Sequence, residues 1–300
     1  MKKVQVLMST YNGEKYLSEQ LDSIIHQEYP NISILIRDDG SSDQTVQILD
    51  DYIKRYSNIR YYQGPNIGCW QSFMDLIVSS DKDADYLAFS DQDDVWKVDK
   101  ISVAVSTLDK MNPKVPLLYC SRLLPVGENL EPIKVTIHNV NFKPSYGNAI
   151  IQNICTGCTG VINRVAANMA MSKIPLFMVQ HDWWFYLIAS CYGEVVYDET
   201  PYILYRQHGN NEVGARTTHF EQLKYRLRTY RKRRGNIYKQ LKEFDKLFRP
   251  KGEKKELLDL VLATNYSFKK RLEMITNKKI YRQKFSDDLI YKMIILIGDA

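Results

Sequence analysis

Along the front of the chain, short apolar runs alternate with stretches in which apolar residues recur at helical spacing. KVQVLM (3–8) has the make-up of a buried strand, and Leu17, Leu21, Ile24 and Ile25 then recur with the period of a helix face. A second strand, ISILIR (32–37), follows; after it DDGSSDQT supplies turn residues and an N-cap, and Val46, Leu49 and Ile53 form the next stripe. NIRYY (58–62) is a weaker strand, CWQSFMDLIV (69–78) a helix, YLAFS (86–90) a strand and WKVDKISVAVSTLDKM (96–111) a helix. Alternation of this kind, with short loops, predicts an α/β fold: a mostly parallel sheet covered by helices on both faces. Ligands of such sheets bind at the carboxyl ends of the strands. Three strands end there in polar clusters, STYN (9–12), DDGSSD (38–43) and SDQDD (90–94).

Composition fits this picture. With 300 residues, 44% hydrophobic and 25% charged, the chain can bury a sizeable core, which excludes a disordered protein. The net charge of +6 hides a split: from Arg216 to Ala300 there are 23 Lys and Arg against 10 Asp and Glu, a balance of +13, and the rest of the chain carries −7. The split predicts a functional domain over 1–215 and a basic helical region over 216–300 with a separate task. MKKVQVLM has too short an apolar run for a signal peptide, and no stretch of about 18 apolar residues occurs, so a cytoplasmic protein is expected. Five cysteines read as reduced thiols. The CTGC at 155–158 lacks a second pair or a nearby His pair for zinc and reads as loop packing.

The polar clusters bear on ligand type. No GxGxxG follows the first strand and no GxxxxGK[ST] occurs, so the Gly-rich phosphate cradles are missing. Asp91 and Asp93, two residues apart at a strand end, can hold a hard divalent cation, which in turn binds a diphosphate. The plainer reading is an acidic turn capping the helix expected near Trp96.

Taken in order, VLMSTYNGEKYLSEQLDSIIHQ, IRDDGSSDQT, FSDQDDVW, HDWW and YRQHGNN resemble the family 2 glycosyltransferases of GT-A fold, in the branch of bacterial rhamnosyltransferases that build surface polysaccharides. The resemblance covers about residues 3–215. It implies a nucleotide-sugar donor, a divalent metal (Mn²⁺ or Mg²⁺), inversion at the anomeric carbon and one catalytic base. By the same resemblance Thr10, Tyr11 and Glu14 belong to the nucleotide-binding first loop, Asp39 reads the pyrimidine base with Asp38 beside it, and Asn66 and Gly68 approach the donor. Asp91 becomes a ribose or sugar contact and Asp93 the principal metal ligand, with His208 completing the metal sphere and Arg206 near phosphate. Thr156 and Gly157 lie in a loop beneath the donor sugar on the acceptor side. Asp182 is the base; His181 stands before it where many relatives carry an acid. Of Trp183 and Trp184, one is expected to stack on the acceptor sugar and one to sit in the core. The competing structural reading of Asp182 is a helix N-cap.

The donor implied by the branch is dTDP-L-rhamnose; the wider family equally allows a UDP-hexose. The acceptor implied is a lipid-linked saccharide. RLRTYRKRR (226–234) has the charge to bind nucleic acid, but it lies in a stripe of Phe220, Leu223, Leu227, Tyr230, Ile237, Leu241, Phe244 and Phe248. A basic amphipathic helix favours an anionic membrane surface or a partner helix, so peripheral attachment to the inner face of the cell membrane or a homodimer through the C-terminal helices is expected, and no nucleic-acid partner. Two rival functions remain. YLAFSDQDDV nearly matches the strand signature of haloacid-dehalogenase-type phosphatases, with Asp91 as nucleophile and Asp93 as acid, although that fold places the strand near its beginning. A binding subunit without turnover is the other, and Asp93, Asp182 and His208 together count against it.

Overall fold

The computed structural model describes residues 1–133, 141–208 and 235–298. Strands β1 (Val4–Thr10), β2 (Ile32–Asp38), β3 (Ile59–Gln63) and β4 (Tyr86–Ser90) run parallel. The register sets Thr10 beside Asp38 and Met8 beside Ser90, so the three polar clusters meet on one edge. Strand β8 (Val161–Asn163) is antiparallel to both β4 and β6 (Leu117–Ser121), and β9 (Glu194–Asp198) lies parallel to β6. The sheet order is β3-β2-β1-β4-β8-β6-β9. A second sheet joins β5 (Val95–Trp96), β10 (Ile203–Arg206) and β7 (Leu124–Val126) across the site edge.

Helices α1 (Leu17–Ile25), α2 (Thr45–Arg55), α3 (Cys69–Ser79), α4 (Lys100–Leu108), α5 (Tyr146–Ala149), α6 (Arg164–Met171) and α7 (His181–Tyr192) surround the sheets. Alternate residues of β1 serve opposite layers, as the two-residue strand period requires: Val4, Val6 and Met8 join Leu17, Leu21 and Ile24, whereas Leu7 joins Phe73, Leu76 and Ile77. The helix expected from Trp96 begins instead at Lys100. Val95 and Trp96 are drawn into pairing with β10, the Trp96 N–H donates to Ser23 Oγ at 3.0 Å, and that of Lys97 to the Tyr202 carbonyl at 2.9 Å.

The C-terminal region is helical as expected: α8 (Asn236–Phe248), α9 (Glu253–Ala263), α10 (Phe268–Thr276) and α11 (Phe285–Ile297). Helix α7 is apolar nearly all round, the mark of a helix buried on every side, and α8 supplies part of its cover. The Trp184 ring meets Phe244 edge-on at 5.5 Å and Phe248 at 5.8 Å, and Tyr192 donates to the Phe248 carbonyl at 2.8 Å. The helices thus extend the apolar layer of the front part. The boundary at 215 and the stripe from Phe220 through RLRTYRKRR lie outside the described residues. No described helix is long and apolar enough to cross a membrane.

Candidate active site

The first loop and the loop after β2 are tied to each other. Thr10 Oγ1 donates to Asp38 at 3.1 Å, and the buried Asp38 carboxylate also accepts from the backbone N–H groups of Gly40 and Ser41 at 3.2 and 2.9 Å. Asp38 therefore organises this turn. Asp39 is buried and ion-paired with Arg37, whose Nε also donates to Asp75 at 3.0 Å. Glu14 accepts from the Gln44 N–H at 2.8 Å, which fastens the loop to the start of α2. Tyr11 is exposed, and its peptide is clasped by Gln92: its N–H donates to Oε1 at 2.9 Å and its carbonyl accepts from Nε2 at 3.1 Å. Asn66 accepts from the Gly68 N–H at 3.2 Å, and Gly68 opens α3 with φ +87°, a conformation that favours glycine.

The SDQDD turn is held from behind. Gln20, buried on the inner face of α1, bonds Ser90 Oγ at 2.7 Å. Arg206 was expected near phosphate; the structure places its buried guanidinium under the turn. Its Nε donates to the Asp93 carbonyl at 2.8 Å, its other nitrogens reach the Glu128 carbonyl and the Glu19 carboxylate, and its Cζ lies 4.6 Å from the Tyr16 ring centroid. The Arg206 N–H donates to Asp94 Oδ1 at 3.1 Å. Next along the chain, His208 Nε2 lies 2.8 Å from Asp93 Oδ2 and its ring is 5.0 Å from that of Tyr16. The two residues assigned to the metal are thus neighbours in space although 115 apart in sequence.

Asp91, Asp94 and Cys158 each bring one ligand atom within 4.8 Å of the others. Burial raises Asp94 well above the ordinary carboxylate range, with the charges of Asp91 and Asp93 adding, and burial raises the Cys158 thiol as well. Below them Lys100 is buried, its Nζ 3.5 Å from the Trp96 ring centroid and without a hydrogen-bond partner among the described residues; burial brings its pKa down to about 7. The end of β4 offers the partly accessible carboxylates of Asp91 and Asp93, and the chain after β10 brings the His208 imidazole against Asp93; oxygen and nitrogen donors of these kinds suit the divalent metal that the family implies.

Asp182 sits in the first turn of α7. The Trp183 N–H donates to its Oδ1 at 2.6 Å, and the Asn153 side chain and the Gly157 N–H also bond the carboxylate. Burial nevertheless dominates and lifts its pKa to about 7. His181 supplies no opposing charge: burial lowers it to about 3, and the neutral ring stacks on Phe73 at 4.0 Å with both nitrogens unpartnered among the described residues. Gly157 packs closely here: a Cβ would stand 3.0 Å from that imidazole. Thr156 turns its carbonyl inward to accept from Thr159 N and Oγ1 at 2.8 and 2.7 Å. Trp184 is the expected core aromatic. Trp183 is also largely buried, and its Nε1 donates to the Ala149 carbonyl at 2.7 Å.

Sequence reasoning missed Gln20, Gln92, Asn153 and Lys100. Gln20 left a trace, a glutamine between Leu17 and Leu21 on a face that is otherwise apolar. The other three depend on contacts made far along the chain.

A doubly covered sheet with acidic loops at the carboxyl ends of its strands is the GT-A arrangement of glycosyltransferases. Residues 5–158 match Glycosyl transferase family 2, and the chain belongs to that family. It is 33% identical over 227 residues to the dTDP-rhamnosyl transferase RfbG of Shigella flexneri, a match covering 69% of this chain and 74% of that protein. Over 94 residues it is 38% identical to an uncharacterized glycosyltransferase of Mycoplasma pneumoniae, 30% of this chain and 31% of the relative. Among solved structures, S. aureus TarS 1–349 with UDP-GlcNAc superposes at TM-score 0.61 with 16% identity, covering 99% of this chain and 81% of that one. Mannosyltransferase PcManGT from Pyrobaculum calidifontis, in complex with GDP-Man and Mn²⁺, superposes at 0.57 with 13% identity, covering 99% and 84%. The chain is a glycosyltransferase, which sets aside the phosphatase reading and that of a binding subunit without turnover.

Proposed function

We propose that the chain transfers L-rhamnose from dTDP-L-rhamnose, with inversion, to a hydroxyl of a lipid-linked saccharide in the synthesis of a surface polysaccharide. The observation that carries the reading is Asp182: a buried carboxylate whose pKa burial lifts to about 7, bonded by Gly157, the chain neighbour of the Cys158 that meets Asp91 and Asp94. In the transfer the acceptor oxygen forms a bond to the anomeric carbon, the bond from that carbon to the diphosphate oxygen breaks, and the acceptor proton passes to the Asp182 carboxylate. The first loop, Asp38 and Asp39 bind the nucleotide, and Asp91 contacts its ribose or the sugar. Asp93 and His208 would hold a divalent cation, Mn²⁺ or Mg²⁺, which when bound offsets the charge of the leaving diphosphate. Arg206 fixes the Asp93 backbone and so the position of its carboxylate.

The likeness to RfbG supports the rhamnose donor. A UDP-hexose donor is the second reading, favoured by the UDP and UDP-GlcNAc complexes of TarS. The basic region after Arg216 supports work at the inner face of an anionic membrane, where a lipid-linked acceptor resides. The test is transfer from a panel of dTDP- and UDP-sugars to a lipid-linked acceptor, with and without chelator, for the wild type and Asp93→Ala. Transfer from dTDP-rhamnose, lost on chelation and lowered about 10²-fold or more in the variant, is expected; chelator-resistant transfer rejects the metal, and a UDP-sugar as the best donor rejects rhamnose.

A further inference from the structure

Helix α11 has two unlike faces. Tyr291 and Ile295 are buried against the rest of the protein, whereas Phe285, Leu289, Met293 and Ile297 are 83%, 51%, 55% and 70% exposed. The exposed four recur every fourth residue and so form one apolar stripe along the whole helix. On the neighbouring α10, Phe268 and Leu272 repeat the pattern at the same spacing, and Tyr266 just before it is exposed too. Isolated exposed apolar residues are ordinary; an aligned row of them marks an interaction surface.

Its surroundings identify the partner. Residues 265–298 hold eight Lys and Arg against three Asp and Glu. Of the acids, Asp288 is paired with Lys292 at 2.8 Å and Glu273 with Lys270 at 2.7 Å. Two copies of a segment of net charge +5 repel each other, whereas an anionic bilayer attracts its lysines and takes up the apolar row.

The unit that bears the stripe is also fastened beside the catalytic base. Between α10 and α11 the chain lies on α5 so closely that a Cβ on Gly147 would stand 1.9 Å from the Lys279 carbonyl. Asn148 Nδ2 donates to the Tyr281 carbonyl and the Gln283 N–H to Gln152 Oε1, at 2.9 and 2.8 Å. The residue after Gln152 is Asn153, whose side chain bonds Asp182.

We propose that the exposed row Phe285, Leu289, Met293 and Ile297 inserts into the surface of an anionic lipid bilayer, docking the acceptor side of the enzyme on the membrane. This deepens the proposed function, resting on it for the lipid-linked acceptor. Its test needs neither donor nor turnover. The full chain is titrated with neutral phosphatidylcholine vesicles and with the same vesicles carrying phosphatidylglycerol. A variant with all four stripe residues changed to Gln is compared at equal melting temperature, together with Phe285→Trp read with brominated acyl chains. Tight binding to anionic vesicles only, weakened about 10-fold or more in the Gln variant, with quenching of the introduced Trp, is expected. Equal binding by the Gln variant, or a bound but unquenched Phe285→Trp protein, overturns the proposal. So does a wild-type dimer that the Gln variant dissolves in the absence of vesicle binding, which assigns the face to a second copy.

Discussion

Asp93 and Asp182 are both carboxylates of the candidate site, and their surroundings differ. Asp93 stands at a strand end, partly open to solvent, with His208 against its carboxylate and Arg206 against its carbonyl. Asp182 is buried in the first turn of α7 beside a neutral histidine, and burial moves its pKa to about 7. Asp93 sits beside a ligating imidazole, a setting that suits holding a cation, whereas a carboxylate enclosed without a counter-charge, as Asp182 is, becomes a group that exchanges a proton near neutral pH. The chemistry divides between the two environments more than between the two side chains.

Substitutions can break this contrast in order of effect. Asp182→Asn keeps the shape and removes the carboxylate proposed as proton acceptor. Turnover should fall by about 10²–10⁴-fold while donor affinity, measured by titration calorimetry, stays within about twofold of wild type; loss of donor affinity would make Asp182 a binding or folding residue. Arg206→Met removes the charge-assisted bonds under the SDQDD turn. A loss of about 3 kcal/mol in denaturant unfolding is expected, with a raised requirement for metal; a stable variant with unchanged metal dependence would show that the turn holds itself. Gln92→Leu loosens only the clasp on the Tyr11 peptide, whose groups can turn to water. An increase in the donor KM of about 5–10-fold at nearly constant kcat follows from about 1 kcal/mol of lost hydrogen bonding, and a fall confined to kcat would instead place Gln92 in the chemical step.

Much of the fold was legible because strand and helix periods alternate cleanly in the first half. YLAFS was read with the bounds it has in the structure, and ISILIR with one residue fewer. Trp96 was misread because apolar spacing carries no information on β5, whose two residues form a strand only through pairing with β10 over a hundred positions later. At the site, acidic clusters at strand ends pointed to Asp91 and Asp93, and the ordered motifs to His208 and Asp182. What Arg206 and Gln92 do was hidden, since an arginine near a diphosphate site reads as a phosphate ligand until its buried partners are known. The pKa of Asp182 was equally out of reach: it follows from burial of the start of α7, which is a property of packing.

The central claim is that burial tunes Asp182 to accept the proton of the attacking hydroxyl, and the pH dependence of kcat at saturating donor tests it most directly. The folded pKa is raised, so the competent carboxylate is scarce in acid and gains population as the pH climbs through about 7. The account predicts a wild-type kcat that rises tenfold per pH unit below about pH 6 and levels off above about pH 8, and a residual Asp182→Asn rate without that step. A wild-type kcat that is flat over this range, or an Asp182→Asn profile with the same step, would contradict it.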